Sequence, residues 1–356
     1  MFYCPKCGKK YKAFRYKCDC GSILLADFEN KQWNPNGSGV WRYQSMIPVH
    51  ESISLSEGQT PLLKRRDTSD EVYLKLEGSN PTGSFKDRGS TVVISNAFNR
   101  RFDEVTVAST GNMGASVAAY AAYANLKAHI YLPEEVTEEK ISQIIAYGAE
   151  LHKVKGSFLD AIKETEKLIE QRRVYWAASG YNPYFLEGLK TIGFELYEEL
   201  KVPDKIIVPV GSGGILTAIY KAFKELKQLK VINKLPEMIG VQARACAPIA
   251  DAWKTGDEIK PVTKANTIAS AIMVKAPMNG ETAIASVNES KGEFVKVDDL
   301  EMIKAIKELG KEGVFAEPAA AAPLAALKKI SYEKDDKVAL IITGNGLKDT
   351  EAIIKK

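Results

Sequence analysis

From residue 71 to near its end the chain repeats one pattern: a short apolar run, a turn of small residues, then an amphipathic stretch. The apolar runs are EVYLKLE (71–77), EVTVAST (104–110), AHIYLP (128–133), ELHKVK (150–155), KIIVPV (205–210), MIGVQA (238–243), FVKV (294–297) and KVALIIT (337–343). Between them the spacing predicts helices over 113–124, 137–147, 157–173, 186–200, 214–228, 299–312 and 347–355. Apolar runs bounded by turn residues are strands buried on both faces, and strands joined through helices run parallel. The expected fold is therefore α/β, with mostly parallel, doubly wound sheets. The 356 residues are enough for two such domains. Sheets of this kind bind ligands where strands end and helices begin. EPAAAAPLAAL (317–327) starts like a helix, with Glu317 at the cap and Pro318 in the first turn. Pro323 then predicts a kink or a restart.

Charge and residue usage narrow the function. Lys and Arg number 49 against 45 Asp and Glu, a net of +4, too balanced for a nucleic acid or an acidic membrane as the main partner. No apolar stretch reaches the ~18 residues of a membrane span. The start, MFYCPKCGKK, lacks a secretory apolar core. The expectation is a cytoplasmic protein. Its three histidines, His50, His129 and His152, share no motif, which speaks against a histidine-based catalytic metal site or a Ser/His/Asp hydrolase. They read as ordinary strand or loop residues. Cys246 reads as a small buried hydrophobe.

Four of the five cysteines, Cys4, Cys7, Cys18 and Cys20, fall in the first 20 residues. Without a signal peptide, such a cluster reads as metal binding rather than a disulfide framework. Four thiolates can close a structural zinc site with no open position. The second pair is C-x-C rather than C-x-x-C, so a ribbon that holds no metal is the alternative. The expected organisation is a cysteine knuckle over 1–25 and a connector over 26–70. A small α/β domain over 95–190 and a large one from 71–94 plus 191–356 follow.

Three polar turns carry the chemistry. In Gly78-Ser-Asn-Pro-Thr-Gly-Ser-Phe-Lys-Asp-Arg-Gly89, Pro81 and Gly83 shape a turn and Ser84 can cap a helix beginning near Lys86. A lysine near free N–H groups and a helix N-terminus has its pKa lowered if it is also desolvated, and a neutral lysine is a nucleophile. Taken alone, it reads first as a solvated surface charge. Ala108-Ser-Thr-Gly-Asn-Met-Gly114 joins a strand to a helix and offers N–H groups to an anion such as a carboxylate. Pro209-Val-Gly-Ser-Gly-Gly-Ile215 does the same with glycines and suits a phosphate. A nicotinamide fingerprint would need Gly or Ala where Leu216 stands, and an acid where the next strand has Gln242.

In this order the turns resemble the β-family (fold type II) of pyridoxal-phosphate enzymes, and within it the threonine synthase branch. Glu57-Gly-Gln-Thr-Pro-Leu62, Asn182-Pro-Tyr-Phe-Leu-Glu-Gly188, Glu317-Pro318 and Thr343-Gly-Asn-Gly-Leu-Lys-Asp349 are further similar landmarks. The resemblance implies a two-lobed type II fold with a cysteine ribbon ahead of it. It implies pyridoxal 5'-phosphate as cofactor, with Lys86 the Schiff-base lysine and working base. Asn112 would meet the ring hydroxyl, and Gly211, Ser212, Gly213 and Gly214 the phosphate. Thr343 would stand at the pyridine nitrogen, where a hydroxyl in place of a carboxylate favours elimination and replacement over transamination. Ser84, Ser109, Thr110, Gly111, Met113 and Asn182 would line the amino-acid substrate site. A homodimer is implied as well.

Three positions depart from the threonine synthase pattern. Met113, Phe185 and Ile215 stand where polar or cationic residues commonly grip the substrate's phosphate. Either the phosphate contacts lie elsewhere, for instance at Arg88, Lys190 or Arg244, or the substrate carries no distal phosphate. The readings are threonine synthase, making threonine and phosphate from O-phosphohomoserine and water, or a paralogue on the same scaffold. The paralogue would be a serine/threonine dehydratase or a β-replacement synthase of a sulfur amino acid. A non-catalytic protein that binds the cofactor or an amino acid is the third.

Overall fold

The structure is a computed structural model that describes residues 1–66, 68–134 and 138–354. The first residue of the expected helix 137–147 and the last of 347–355 lie outside the described residues. The chain divides into two compact units, Met1–Gly58 with Asn80–Leu189, and Gln59–Ser79 with Lys190–Lys356.

The first unit is built on a four-stranded parallel sheet, in the order Glu150–Val154, Lys127–Pro133, Glu104–Ala108, Tyr175–Trp176. The helices Lys86–Asn99, Asn112–Tyr123, Glu138–Ala146, Phe158–Gln171 and Pro183–Leu189 belong to the same unit. A second, small antiparallel sheet joins Phe2–Tyr3 to Lys10–Tyr11 and Leu25–Ala26. This cysteine-bearing ribbon is packed into the unit rather than appended to it. Phe14 stacks on Tyr175 and Tyr184 with centroids 5.9 and 5.3 Å away, and Phe2 meets Tyr184 edge-on at 5.5 Å. Lys17 pairs with Glu166 at 2.5 Å and lies over the Tyr181 ring.

The second unit holds a six-stranded sheet in the order Glu293–Val297, Glu237–Ala243, Lys205–Pro209, Val338–Ile342, Val72–Leu76, Leu62–Lys64. All neighbours are parallel except the last pair. Its core centres on the helix Pro318–Leu327, whose ten residues are all buried. A helix apolar on every side must be enclosed, and Leu74, Ile207, Val241 and Leu340 of the sheet share its core cluster. That helix runs through Pro323 without the expected restart. Pro323 is its sixth residue, so the missing N–H costs only the bond to Ala319.

The α/β reading holds, and every strand expected from the apolar runs forms. Leu62–Lys64 and Tyr175–Trp176 were not expected; runs of three and two residues carry no readable period. The expected helix 186–200 is two helices, Pro183–Leu189 and Thr191–Leu200, and the break falls where the chain passes from one unit to the other. The histidines bring a correction. His129 and His152, which share no motif in the sequence, lie on neighbouring strands with ring nitrogens 3.0 Å from each other. Positions 129 and 152 are distant in sequence, and only the parallel register brings them together.

Candidate active site

Two of the three turns start adjacent helices of the first unit. Lys86 opens the helix Lys86–Asn99 behind a turn in which Gly83 has φ +88° and its N–H donates to the Asn80 carbonyl. The cap residue is Phe85, and the Ser84 hydroxyl accepts only loosely from the Lys86 N–H at 3.4 Å, in place of the expected full cap. The Lys86 ammonium is half-buried against two rings, 4.6 Å from the centroid of Phe85 and 5.4 Å from that of Phe185. These ring faces desolvate it on one side.

Next to it, Asp87 is fully buried and receives three hydrogen bonds: from the Thr82 N–H (2.7 Å), the Thr82 hydroxyl (2.6 Å) and the Ser116 hydroxyl (2.6 Å). Ser116 sits on the second helix, Asn112–Tyr123, so Asp87 ties the two helix starts together. Burial pushes the Asp87 carboxyl up to about 6, against the pull of its donors. A carboxyl raised from 3.8 favours the folded state fully only below 3.8, and that contribution is lost as pH rises through 6. The interval corresponds to about 3 kcal/mol. Urea unfolding of the protein and of Asp87→Asn is expected to show the wild-type advantage shrinking by roughly that amount between pH 3.5 and 7, about 3 kcal/mol. A pH-independent difference would refute it.

Glycines set how closely the Lys86 helix meets its neighbour Pro183–Leu189. A Cβ on Gly188 would lie 1.8 Å from the Arg88 carbonyl oxygen, and one on Gly89 would lie 2.3 Å from the Phe185 ring. Phe185 thus fills the slot opened by Gly89. An arginine there would bury its charge in that slot.

The second turn runs from Ser109 to Met113. The Ser109 hydroxyl accepts from the N–H of Gly114 (2.8 Å) and of Gly111 (3.3 Å), which leaves its own hydrogen to donate. Thr110, Gly111 and Asn112 are partly exposed at the helix start, and Met113 is buried. The first N–H groups of that helix have no intrahelical acceptor, which suits a carboxylate. Asn182 differs. Its buried amide donates to the Trp176 carbonyl (3.0 Å) and accepts from the Tyr184 N–H (3.1 Å), so it holds its own turn.

The third turn lies in the second unit. Gly211 to Gly213 follow the strand Lys205–Pro209, and Gly214 opens the helix Gly214–Gln228. Gly213 caps that helix in the left-handed region at φ +97°. Its Cβ would lie 2.5 Å from the Asn279 carbonyl oxygen; one on Gly211 would lie 2.9 Å from Val274. The turn is a cradle that side chains would fill, at the positive end of a fifteen-residue helix. Asn279, which no sequence signal marked, fixes it: its N–H donates to the Ser212 carbonyl (2.9 Å) and its amide to the Ser212 hydroxyl (3.4 Å). Thr343 follows Val338–Ile342, which pairs with Lys205–Pro209 in parallel, so buried Thr343 and the glycine turn share one sheet edge.

Of the cations considered for a phosphate, Lys190 is buried and committed to Glu225 at 2.9 Å, and Arg88 is buried in the first unit. Arg244 is exposed, just beyond the strand Glu237–Ala243 that flanks Lys205–Pro209.

In the ribbon, the four thiols lie within 4.8 Å of one another, with Cys4–Cys20 at 3.6 Å and Cys7–Cys18 at 3.5 Å. Sulfurs around zinc at about 2.3 Å lie about 3.8 Å apart in a tetrahedral shell, so the donor set fits. The Tyr11 hydroxyl, 3.2 Å from Cys18, holds that thiol down at about 6. Cys7→Ser is expected to carry one zinc equivalent fewer than the parent chain and to melt earlier, about 1–2 °C for each kcal/mol lost in a chain of this length. Metal analysis and a thermal scan check both.

An amine at a helix start, a donor-rich anion turn beside it and a glycine cradle for a phosphate are the parts that a pyridoxal-phosphate enzyme needs. Residues 53–344 match the family model described as pyridoxal-phosphate dependent enzyme, and the chain belongs to that family. It is 41% identical to a threonine synthase of Methanocaldococcus jannaschii, over 99% of this chain and 94% of that protein. It is 38% identical to a threonine synthase of Methanosarcina acetivorans, over 99% and 93%. The fold is also that of the processed form of threonine deaminase isoform 2 from Solanum lycopersicum (TM-score 0.73, 22% identity, 93% of this chain and 98% of that one). No described helix is long and apolar enough to cross a membrane.

Proposed function

We propose that this enzyme is a threonine synthase, releasing phosphate from O-phosphohomoserine and adding water to make threonine. The observation that carries the reading is end-to-end similarity to proteins of that name. Bound pyridoxal phosphate would supply an electron sink for the bonds at the amino acid's Cα. Lys86 would hold the cofactor through its amine and, once released, carry the Cα proton. Gly211, Ser212, Gly213 and Gly214 would bind its phosphate, Asn112 its ring hydroxyl and Thr343 its ring nitrogen. Ser109, with a hydrogen to donate, and the N–H groups at Thr110 to Met113 would fix the substrate carboxylate, with Ser84 and Asn182 shaping the pocket. Four thiolates of the ribbon would hold a structural zinc. The same reading carries a cytoplasmic homodimer, for which gel filtration with light scattering is the check.

Phe185, locked in the Gly89 slot, favours a second reading in which the substrate lacks a distal phosphate. One experiment separates them. Purified holoenzyme is given O-phosphohomoserine, O-phosphoserine, serine or threonine, and phosphate, ammonia and amino-acid products are measured. Threonine and phosphate in equal amounts from the first substrate support threonine synthase. Ammonia from serine or threonine, with no phosphate release, supports the dehydratase instead.

A further inference from the structure

One polar cluster lies outside everything assigned above. On one face of the first unit's sheet, His129 of Lys127–Pro133 meets Glu150 and His152 of the edge strand Glu150–Val154. Glu150 stands directly across from His129 in the parallel register, and His152, two residues on, returns to the same face. Three donor atoms converge: His129 Nδ1 to His152 Nε2 is 3.0 Å, His129 Nδ1 to Glu150 Oε2 is 3.2 Å, and His152 Nε2 to Glu150 Oε2 is 3.8 Å. Donors held at about 2.0–2.1 Å in a tetrahedral shell lie about 3.3–3.4 Å apart, within the range of that triangle.

The surroundings are those of a metal-binding histidine. His129 Nε2 lies 3.1 Å from Glu104 Oε2, and Arg172 holds the same oxygen at 3.3 Å. A carboxylate on the far nitrogen fixes the tautomer and turns the Nδ1 lone pair inward. Lys127 binds the other oxygen of Glu150 at 2.7 Å, leaving Oε2 to the histidines. A neutral imidazole has a single N–H. If Glu104 receives it, Nδ1 is left as an acceptor facing both the Glu150 oxygen at 3.2 Å and His152 Nε2 at 3.0 Å, a place that either the His152 N–H or a bound cation fills. If Glu150 receives it, Nε2 is left as an acceptor beside Glu104, with Arg172 Nη2 3.5 Å away. The first arrangement presents two nitrogens and a carboxylate oxygen to one point, the donor set of a cation site. His129 is 1% exposed, while His152 at 35% and Glu150 at 49% leave an open approach.

The geometry points to a three-ligand site for one divalent transition-metal ion, zinc above all, formed by His129, Glu150 and His152 with a fourth position open to solvent. The ion would clamp the edge strand to its neighbour. It owes nothing to the cysteine ribbon or to the cofactor.

The test is equilibrium dialysis of the chelator-stripped full chain against Zn2+, followed by metal analysis. The parent chain is expected to retain one equivalent more than His152→Ala or Glu150→Gln, both changed at the open side. Glu104→Gln is expected to bind that equivalent about 10–100-fold more weakly. Cys7→Ser is counted beside them, so loss of the ribbon ion is not mistaken for loss of this one. With only three histidines, 15N-histidine NMR gives a second readout: Zn2+ should move the His129 and His152 resonances and leave His50 in place. Equal zinc in parent and both variants would overturn the proposal. So would a His129 that carries protons on both nitrogens with Zn2+ present, since an imidazolium bridging the two carboxylates would then replace the metal.

Discussion

Lys86→Ala is expected to reduce turnover by about 10²–10⁴-fold or more, because a positioned acid–base group contributes that much and, in the function proposed above, this one would also anchor the cofactor. Lys86 opens a helix, lies against the rings of Phe85 and Phe185, and is half-exposed. Since its ammonium is not deeply buried, removing it should leave the unfolding midpoint nearly unchanged. Lys86→Arg sharpens the result. Arginine keeps the charge and the ring contacts, but its guanidinium does not give up a proton in a protein and cannot replace the amine. Both variants should therefore fail alike, and the visible absorbance of the lysine-bound cofactor should vanish in both. An active Lys86→Arg would mean that charge at this position matters and the amine does not.

What the sequence made legible follows from the range of each signal. The apolar runs and glycine turns are local, so the strands, the helix starts at Lys86, Asn112 and Gly214, and the cofactor family could all be read. Asp87 was passed over although it adjoins Lys86, because its importance lies in a hydrogen bond from Ser116, 29 residues away. Asn279 was invisible for the same reason: it reaches Ser212 across 67 residues. Phe185 reads in sequence as a lost cation; in the fold it is the ring that the Gly89 slot admits. His129 and His152 show the limit most clearly. Neither belongs to a motif, and the pairing of two strands alone sets their nitrogens 3.0 Å apart.

The glycine cradle yields the other large effect. At φ +97° Gly213 occupies the left-handed region, where a Cβ costs about 1–2 kcal/mol. The added carbon of Gly213→Ala would also lie 2.5 Å from the Asn279 carbonyl oxygen and 3.0 Å from the Ala283 methyl. The Asn279 oxygen is backbone, so relief requires the turn or the residue 279 main chain to move, and Asn279 is what fixes Ser212. The N–H groups that would face the cofactor's phosphate then lose their alignment. Cofactor affinity is expected to fall about 10–100-fold, or about 1.4–2.8 kcal/mol. Titration of the cofactor-free protein with pyridoxal phosphate, followed by absorbance, measures it. Gly211→Ala should cost less, because the nearest atom to its Cβ, at 2.9 Å, ends the Val274 side chain, although the Ala271 carbonyl at 3.2 Å limits how far it can yield. Gly310→Ala is the control, a helical position with nothing within 4 Å of the new carbon, where alanine should be neutral or stabilising by about 0.5–1 kcal/mol. If Gly213→Ala binds pyridoxal phosphate as tightly as the control, the phosphate does not rest in this turn, and the roles of Gly211 to Gly214 fall with it.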